Sequence, residues 1–500
     1  MGKPVVTERS IESWLQCERR AWLEQHRPDL RAPDGGLEAY LVEQHADLRR
    51  LYEDRVARGD TQAVHAPAAP QAAAKTTTAA LRSGAHTVLA AAFEAPVGAG
   101  SSLRMRARIT GLRRAGDGWN LETLAAGTRV RAHHIRHLAF VKHVAERAKV
   151  RVLHALVLRA APLPGAAGAT LQATDVTAAC ESERVRLPAR ILAVAASLTA
   201  AHEPATGVGQ HCYGRRPCPF IRHCWQPYDR VSIFHVRGLR RSTVAALRAA
   251  GWFDARTVPP ATAGLDDAER TALEDVRNGR VRVDFDELAR ALGELVPPIA
   301  YLDMEFCSPA VPWLPEMAPF EHLPFQFSVH LETGDGRIEH VGHLHRDAGV
   351  DPRPALAVAL AEALRTARTV VVYDASAEGP LLHELAIAEP HVAAALEAAE
   401  QRTWDLLRVV RETVRHPGFG TRWGLKRVAS TLSPDSYQGV SLVDGLAAQA
   451  MWRRMLRSKD RALGVALERY CEADSHAMLG IVRVLRAWLA QHAIDGRERP

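Results

Sequence analysis

The sequence predicts an α/β protein of more than one domain, and three observations carry that prediction. Residues 299–306, 324–331 and 337–344 (within PPIAYLDMEF, PFQFSVH and RIEHVGHLH) read as strands, and helical periods then interleave with a further strand at 369–374. That succession fits a mixed sheet covered by helices. A second alternating stretch, 101–131, has turn signals at Ala115–Gly118 and Ala126–Gly127 and reads as a β-meander. The 500 residues, 47% hydrophobic and 24% charged, suit two to four soluble globular domains.

Along the chain, residues 7–25 form an amphipathic pattern with Thr7 placed as N-cap, and 37–60 predict another helix. The stretch AVHAPAAPQAAAK has no period and reads as loop, followed by helix and then strand before the meander. Residues 134–149 predict a helix and VRVLHALVLRAAP a strand. Residues 206–230 are loop-like and rich in cysteine. From 237 to 298, helical periods broken at Gly251-Trp252 and Pro259-Pro260 predict a small connector, similar to a helix-hairpin-helix unit, and Pro297-Pro298 marks a boundary. Helices are expected at 354–367, 378–388, 391–398, 403–414, 442–457 and 460–490. The expected division is 1–230, a connector at 231–298, and 299–500.

A net charge of +7 and a pI near 9.2 favour an anionic partner, although the excess is modest for this length. No run of 18 apolar residues suggests a membrane span, and the charged segment MGKPVVTERSIESWLQCERRAW lacks the apolar core of a signal peptide. Seven unevenly spaced cysteines point to metal-binding or buried thiols rather than a disulfide framework, so the expected location is the cytoplasm.

The chemistry concentrates in three short segments. Asp303 and Glu305 sit two apart on a strand and therefore share a face. Asp374 and Glu378 follow in YDASAE. Tyr470 and Asp474 sit four apart on a helix, again on one face. Cleaving a phosphodiester needs an activated water and a stabilised leaving oxygen, which two Mg²⁺ or Mn²⁺ ions about 4 Å apart supply. Such hard cations take carboxylate oxygens. Each pattern alone occurs readily by chance; an apolar strand on both sides of Asp303 and Glu305 makes unpaired carboxylates there costly.

With those residues in place, the C-terminal region resembles the RNase H-like DEDD exonucleases of the tyrosine-bearing subgroup. The match uses D-x-E at Asp303 and Glu305, an acid at Glu378 four residues after Asp374, and Y-x-x-x-D at Tyr470 and Asp474. Asp374 stands where Asn is usual and Glu378 where Asp is usual, leaving Glu378 or Asp374 as the third ligand. The resemblance implies metal-dependent 3′–5′ exonuclease activity, with DNA favoured over RNA. Asp303 would bridge two metals, Glu305 and Asp474 complete one site, Glu378 support the other, and Tyr470 orient the water. The blocks PFQFSVH, RTWDLLRVVR and WGLKRVASTL are similar to an uncharacterised bacterial family joining this domain to a RecB-type nuclease domain, over residues 7–485. Arg422 and Lys426 are candidate phosphate contacts, and a solvated helix end is the alternative. His416 and His476 are candidates only for proximity to the site.

Cys212, Cys218 and Cys224 are spaced C-x5-C-x5-C, too loosely for the usual zinc knuckle and suited to a 4Fe–4S cluster. Buried thiols are the alternative. The arrangement resembles iron–sulfur RecB-like PD-(D/E)XK nucleases of the CRISPR-adaptation type, and that resemblance adds Cys17 as the fourth ligand. Cys180, Cys307 and Cys471 read as core or bystander thiols. Such a domain would carry an Asp, then E-x-K on the next strand. The meander instead offers Arg106 and Arg108, then Thr123 and Ala125, with Glu122 the one acid nearby. A catalytically degenerate domain is expected, its arginines (Arg104, Arg106, Arg108, Arg113, Arg114) either solvated or holding nucleic acid.

The expected fold is thus a degenerate PD-(D/E)XK-type α/β domain, a helical connector, and an RNase H-like mixed-sheet domain. Two rivals stand beside the exonuclease: a non-catalytic nucleic-acid-binding scaffold subunit of a repair or defence complex, and a zinc-stabilised binding module.

Overall fold

The computed structural model describes residues 4–497 except 33–35, 99, 164–167, 214–216, 227–230, 315–316, 421–422 and 441–443. It is a mixed α/β protein that divides into two compact units. The first comprises Met1–Asp34, Glu38–Trp225 and Pro309–Glu321; the second comprises Gly35–Leu37, Gln226–Ser308 and His322–Pro500. The connector therefore clusters with the C-terminal residues, while 309–321 belongs with the first unit.

In the first unit, Thr7 caps the helix Glu8–Gln16 in a reciprocal box with Ser10: Thr7 Oγ1 accepts from the Ser10 amide at 3.2 Å, and Ser10 Oγ from the Thr7 amide at 2.8 Å. The single helix expected over 7–25 is two, Glu8–Gln16 and Glu18–His26. Cys17 is extended (φ −166°, ψ 126°) and closes one helix while opening the next. The meander runs through Arg104–Arg108, Gly111–Ala115 and Gly118–Ala125, with Gly116 at φ 50° supplying the left-handed residue of the last turn. Helix Ala132–Arg147 then crosses to Val152–Pro162, which pairs parallel with Gly118–Ala125. That helix buries Leu138, Phe140, Val141 and Val144 against Leu112, Leu121 and Val157 of the sheet. Each large side chain so buried contributes roughly 1.5–3 kcal/mol.

The second unit is organised by a five-stranded sheet ordered Ile338–Leu344, Leu323–Glu332, Ile299–Cys307, Thr369–Val372, Thr403–Asp405. The first three strands are antiparallel; Ile299–Cys307, Thr369–Val372 and Thr403–Asp405 run parallel. Period-two alternation sorts the central strand between two cores. Ala300, Leu302 and Met304 face helices Arg353–Ala363, Ala375–Ala388 and Ala393–Gln401. Ile299 and Tyr301 join the opposite cluster, with Val482 and Leu485 of the long helix Arg461–Arg497. Asp303 and Glu305 continue that odd-numbered series, so the alternation carries them to the face covered by the long helix.

Residues 403–405, expected to begin a helix, form the short strand Thr403–Asp405, and Asp405 then caps Leu406–Thr413 by accepting from the Arg408 amide at 2.8 Å. Within this unit the connector has a small core of its own, including Ile233, Val244, Leu247, Val258 and Leu273. Its helix Asp267–Asn278 opens with a capping box between Asp266 and Glu269. Among the described residues, no helix is long and apolar enough to cross a membrane.

Candidate metal centre

Strand alternation and helical spacing meet at one point. One carboxylate oxygen each of Asp303, Glu305 and Asp474 lies within 4.8 Å of the others, and all three residues are buried. Tyr470, one turn before Asp474 on the long helix, is 3% exposed and hydrogen-bonds to the Asp474 carboxylate. The Tyr437 hydroxyl donates to Asp474 Oδ1 at 2.6 Å, and the Cys471 thiol to Asp303 Oδ2 at 3.2 Å. Lys426 Nζ stands 4.0 Å from the Tyr470 ring centroid, a cation–π contact at the edge of the carboxylates.

Glu378 lies outside the three-acid group, yet its charge is felt at both Asp303 and Glu305. Its Oε2 is buried without a hydrogen-bond partner. Asp374 is occupied differently. Its Oδ1 accepts from the Ser376 amide at 3.1 Å and the Ser376 hydroxyl at 2.6 Å, capping the helix Ala375–Ala388. Of the two, Glu378 is the acid whose charge reaches Asp303 and Glu305.

Burial is the largest influence on all four acids, and repulsion within the group adds to it at Asp303 and Glu305. Burial, then Asp474, Glu305 and Glu378, hold Asp303 well above the usual carboxylate range. Glu305 is pushed up to about 8 by burial and by Asp474, against the opposing charge of Lys426. Burial likewise lifts Glu378 to about 8. Burial raises Asp474 too, offset by Lys426 and by the Tyr437 and Tyr470 hydroxyls. Clustered buried carboxylates with an orphaned acceptor are costly for a folded protein alone, and a bound divalent cation would offset that cost. The donor set, all hard oxygen, fits Mg²⁺ or Mn²⁺.

Sequence reasoning missed Tyr437 and took Cys471 as a bystander; the thiol instead touches Asp303. The i+1 position of Cys471 after Tyr470 gave no usable signal, because a buried Cys beside a site reads like any core residue. Arg422 lies outside the described residues. His416 accepts from the Gly418 amide at 2.9 Å and caps Pro417–Phe419.

It also lines a cavity of about 570 Å³ with Arg237, Arg280, Arg411, Arg415 and Trp423. The Arg237 guanidinium lies 4.5 Å from the Trp423 ring centroid. Burial, then the Arg415 and Arg411 charges, hold Arg237 below its ordinary value. The nearby acids are engaged elsewhere, Asp275 with Arg282, Asp267 with Arg270 and Glu412 with Arg408.

In the first unit, Cys17 sits at the helix break, Cys212 in the turn Gln210–Tyr213 and Cys224 in Ile221–Trp225; the Cys218 amide donates to the Cys212 carbonyl at 2.8 Å. The thiols are close enough to interact electrostatically: Cys17 with Cys212 and Cys224, and Cys218 with Cys212 and Cys224. Burial raises Cys17, and pushes Cys218 and Cys224 up to about 11, while Arg20 and Arg19 respectively oppose it at the last two. No three of the four come within 4.8 Å of one another, which is wider than one tetrahedral zinc allows.

The meander site has no acid to spare. Glu122 is fully buried, accepting from the Tyr52 hydroxyl at 2.6 Å and pairing with Arg113 at 2.9 Å. The neighbouring arginines have internal partners as well: Arg104 and Arg106 reach Glu94 at 3.6 and 3.4 Å, Arg108 donates to the Ala68 and Pro67 carbonyls, and Arg114 lies over Trp119.

Residues 300–424 match the family model of a domain of unknown function (DUF2779), a span that holds Asp303, Glu305 and Glu378 and stops short of Tyr470 and Asp474. No curated protein and no solved structure matches the chain.

Proposed function

We propose that the protein is a divalent-metal-dependent 3′–5′ exonuclease acting on nucleic acid, with DNA favoured, and that its site is Asp303, Glu305, Glu378 and Asp474. The observation that carries this reading is the convergence of buried Asp303, Glu305 and Asp474 oxygens within 4.8 Å, beside a Glu378 with an unpartnered oxygen. The strand order, three antiparallel strands followed by two parallel ones, supports an RNase H-like framework, and the direction of digestion rests on the resemblance alone.

Two bound cations would supply Lewis acidity and a water acidic enough to attack phosphorus at neutral pH. Asp303, Glu305, Asp474 and Glu378 would hold them through carboxylate oxygens. Tyr470 and Tyr437, both hydrogen-bonded to Asp474, fix that carboxylate, and Tyr470 would orient the attacking water. Lys426 adds positive charge where phosphate oxygens would gather. The test is digestion of end-labelled single strands with Mn²⁺, with and without chelator. Intact substrate in wild-type reactions containing Mn²⁺ would refute the assignment.

The arginine-lined cavity supports a nucleic-acid partner, since Arg237, Arg411 and Arg415 repel one another until an anion joins them. Replacing Arg237 and Arg411 by Ala should weaken oligonucleotide binding about tenfold and flatten the slope of log Kobs against log salt by about 1.4. Fluorescence anisotropy across a salt series checks this; an unchanged slope contradicts it.

The same proposal extends to a 4Fe–4S cluster on Cys17, Cys212, Cys218 and Cys224, supported by thiols too far apart for one ion yet close enough to interact. Anaerobically purified protein should be brown and carry iron and sulfide, and Cys218→Ser should lose both. A colourless wild type containing zinc would point to the binding-module rival. Cysteines outside disulfides, four of them on such a cluster, would fit a cytoplasmic location.

A further inference from the structure

We propose that His330, His340 and Glu472, with His476 closing the shell, form a separate transition-metal centre of zinc type. A ring nitrogen of His330, one of His340 and a carboxylate oxygen of Glu472 all lie within 4.8 Å of one another. Two independent geometric rules bring them there. His330 and His340 are direct register partners on antiparallel strands, so their rings stand on one face with centroids 4.7 Å apart. Glu472 and His476 are four apart on the long helix that covers that face. Glu472 Oε1 lies 3.9 Å from His340 Nδ1, and the His476 ring centroid is 5.3 Å from that of His330.

The hydrogen bonds behind the imidazoles prepare their free nitrogens. His330 Nδ1 is 2.8 Å from Ser475 Oγ, and His340 Nε2 is 2.9 Å from Ser328 Oγ. The two hydroxyls, both buried, meet at 2.7 Å, and Ser475 donates onward to the Glu472 carbonyl at 3.0 Å. One arrangement satisfies every donor: each imidazole gives its N–H to a serine, Ser328 gives its proton to Ser475, and Ser475 gives its own to the carbonyl. It leaves Nε2 of His330 and Nδ1 of His340 as lone pairs. Fixing a ligating imidazole through its second nitrogen is how metal sites set tautomer and ring orientation.

Mixed nitrogen and carboxylate donors favour Zn²⁺ and its neighbours over Mg²⁺. Ligands on one tetrahedral zinc stand about 3.3 Å apart, so the donors need only draw in slightly. His330 is buried while His340 and Glu472 are exposed, giving a held base and an open entry. The centre would pin the long helix to the strand beside the one bearing Asp303, since Ser328 is the register partner of Asp303 and Ser475 follows Asp474. It involves no cleavage chemistry and stands or falls apart from the nuclease reading.

The experiment is elemental analysis of full-length wild type, His340→Ala and Glu472→Gln, each equilibrated with zinc under excess Mg²⁺ and desalted. Each variant should retain one zinc fewer per chain than wild type, with iron unchanged. Zinc held elsewhere, including on cysteines, cancels in the difference. Glu472 is an exposed helix residue, so its Gln variant keeps the measurement meaningful if His340→Ala fails to fold. Copper-loaded wild type should show nitrogen hyperfine structure in electron paramagnetic resonance that weakens in His340→Ala. Equal zinc in wild type and Glu472→Gln, with the fold intact by circular dichroism, overturns the proposal.

Discussion

Asp303→Asn should abolish cleavage, by roughly a thousandfold or more and equivalent to about 4 kcal/mol of transition-state stabilisation, while oligonucleotide binding persists. Asp474, Glu305 and Glu378 all act on Asp303, and the Cys471 thiol touches it. The neutral amide removes a metal ligand and also a repelling charge. The metal-free variant should therefore melt at a higher temperature than metal-free wild type, the usual opposition between activity and stability at a strained site. Cleavage assays with Mn²⁺, run beside thermal melts in chelator, test both halves. Residual Mn²⁺-dependent cleavage near the wild-type rate removes Asp303 from the mechanism.

Metal-free wild type should lose stability as pH rises from about 5 to about 8, and divalent cations should reverse that loss. Glu305 and Glu378 titrate near 8 in the folded chain, against about 4.3 in an unfolded one. Between those values the folded state binds more protons, so the unfolding free energy falls with rising pH. The contribution is full below the unfolded value and gone once pH passes the folded one. A cation takes the place of the missing protons, so Mn²⁺ should raise Tm by roughly 5 °C or more at about pH 8 and much less at about pH 5.5. Melting curves at the two pH values, with chelator and with Mn²⁺, decide it. A metal-free Tm that climbs across this window, or an Mn²⁺ response no larger at the higher pH, contradicts the site as drawn.

The carboxylates were legible because their signals are local. Asp303 and Glu305 share a face through the two-residue period of one strand, and Tyr470 and Asp474 through one helical turn. Tyr437 and Cys471 were not, since their roles depend on which elements pack together. The His330–His340 pair was hidden for a related reason: it exists only in the register of the Leu323–Glu332 and Ile338–Leu344 strands, which alternation alone does not set. Asp374 is ambiguous in the sequence for a different reason. An Asp just before a helix is equally good as a metal ligand or an N-cap, and the Ser376 contacts show it serving as a cap. The break at Cys17 and the three-residue strand Thr403–Asp405 are too short to imprint a period of their own.

The strand that carries Asp303 and Glu305 ends at Cys307, and the chain then contributes Pro309–Glu321 to the other unit before returning at His322. In that unit Ala310 is fully buried, with Leu48, Tyr52 and Leu89 in the same cluster and Val311 and Phe320 packed against it, and its amide donates to the Gln44 side chain. A gene severed near residue 226 would therefore yield no two self-sufficient halves. The upstream product would lack a wedge of its own interior, and the downstream product would display that wedge as a greasy excursion immediately beyond its acidic strand.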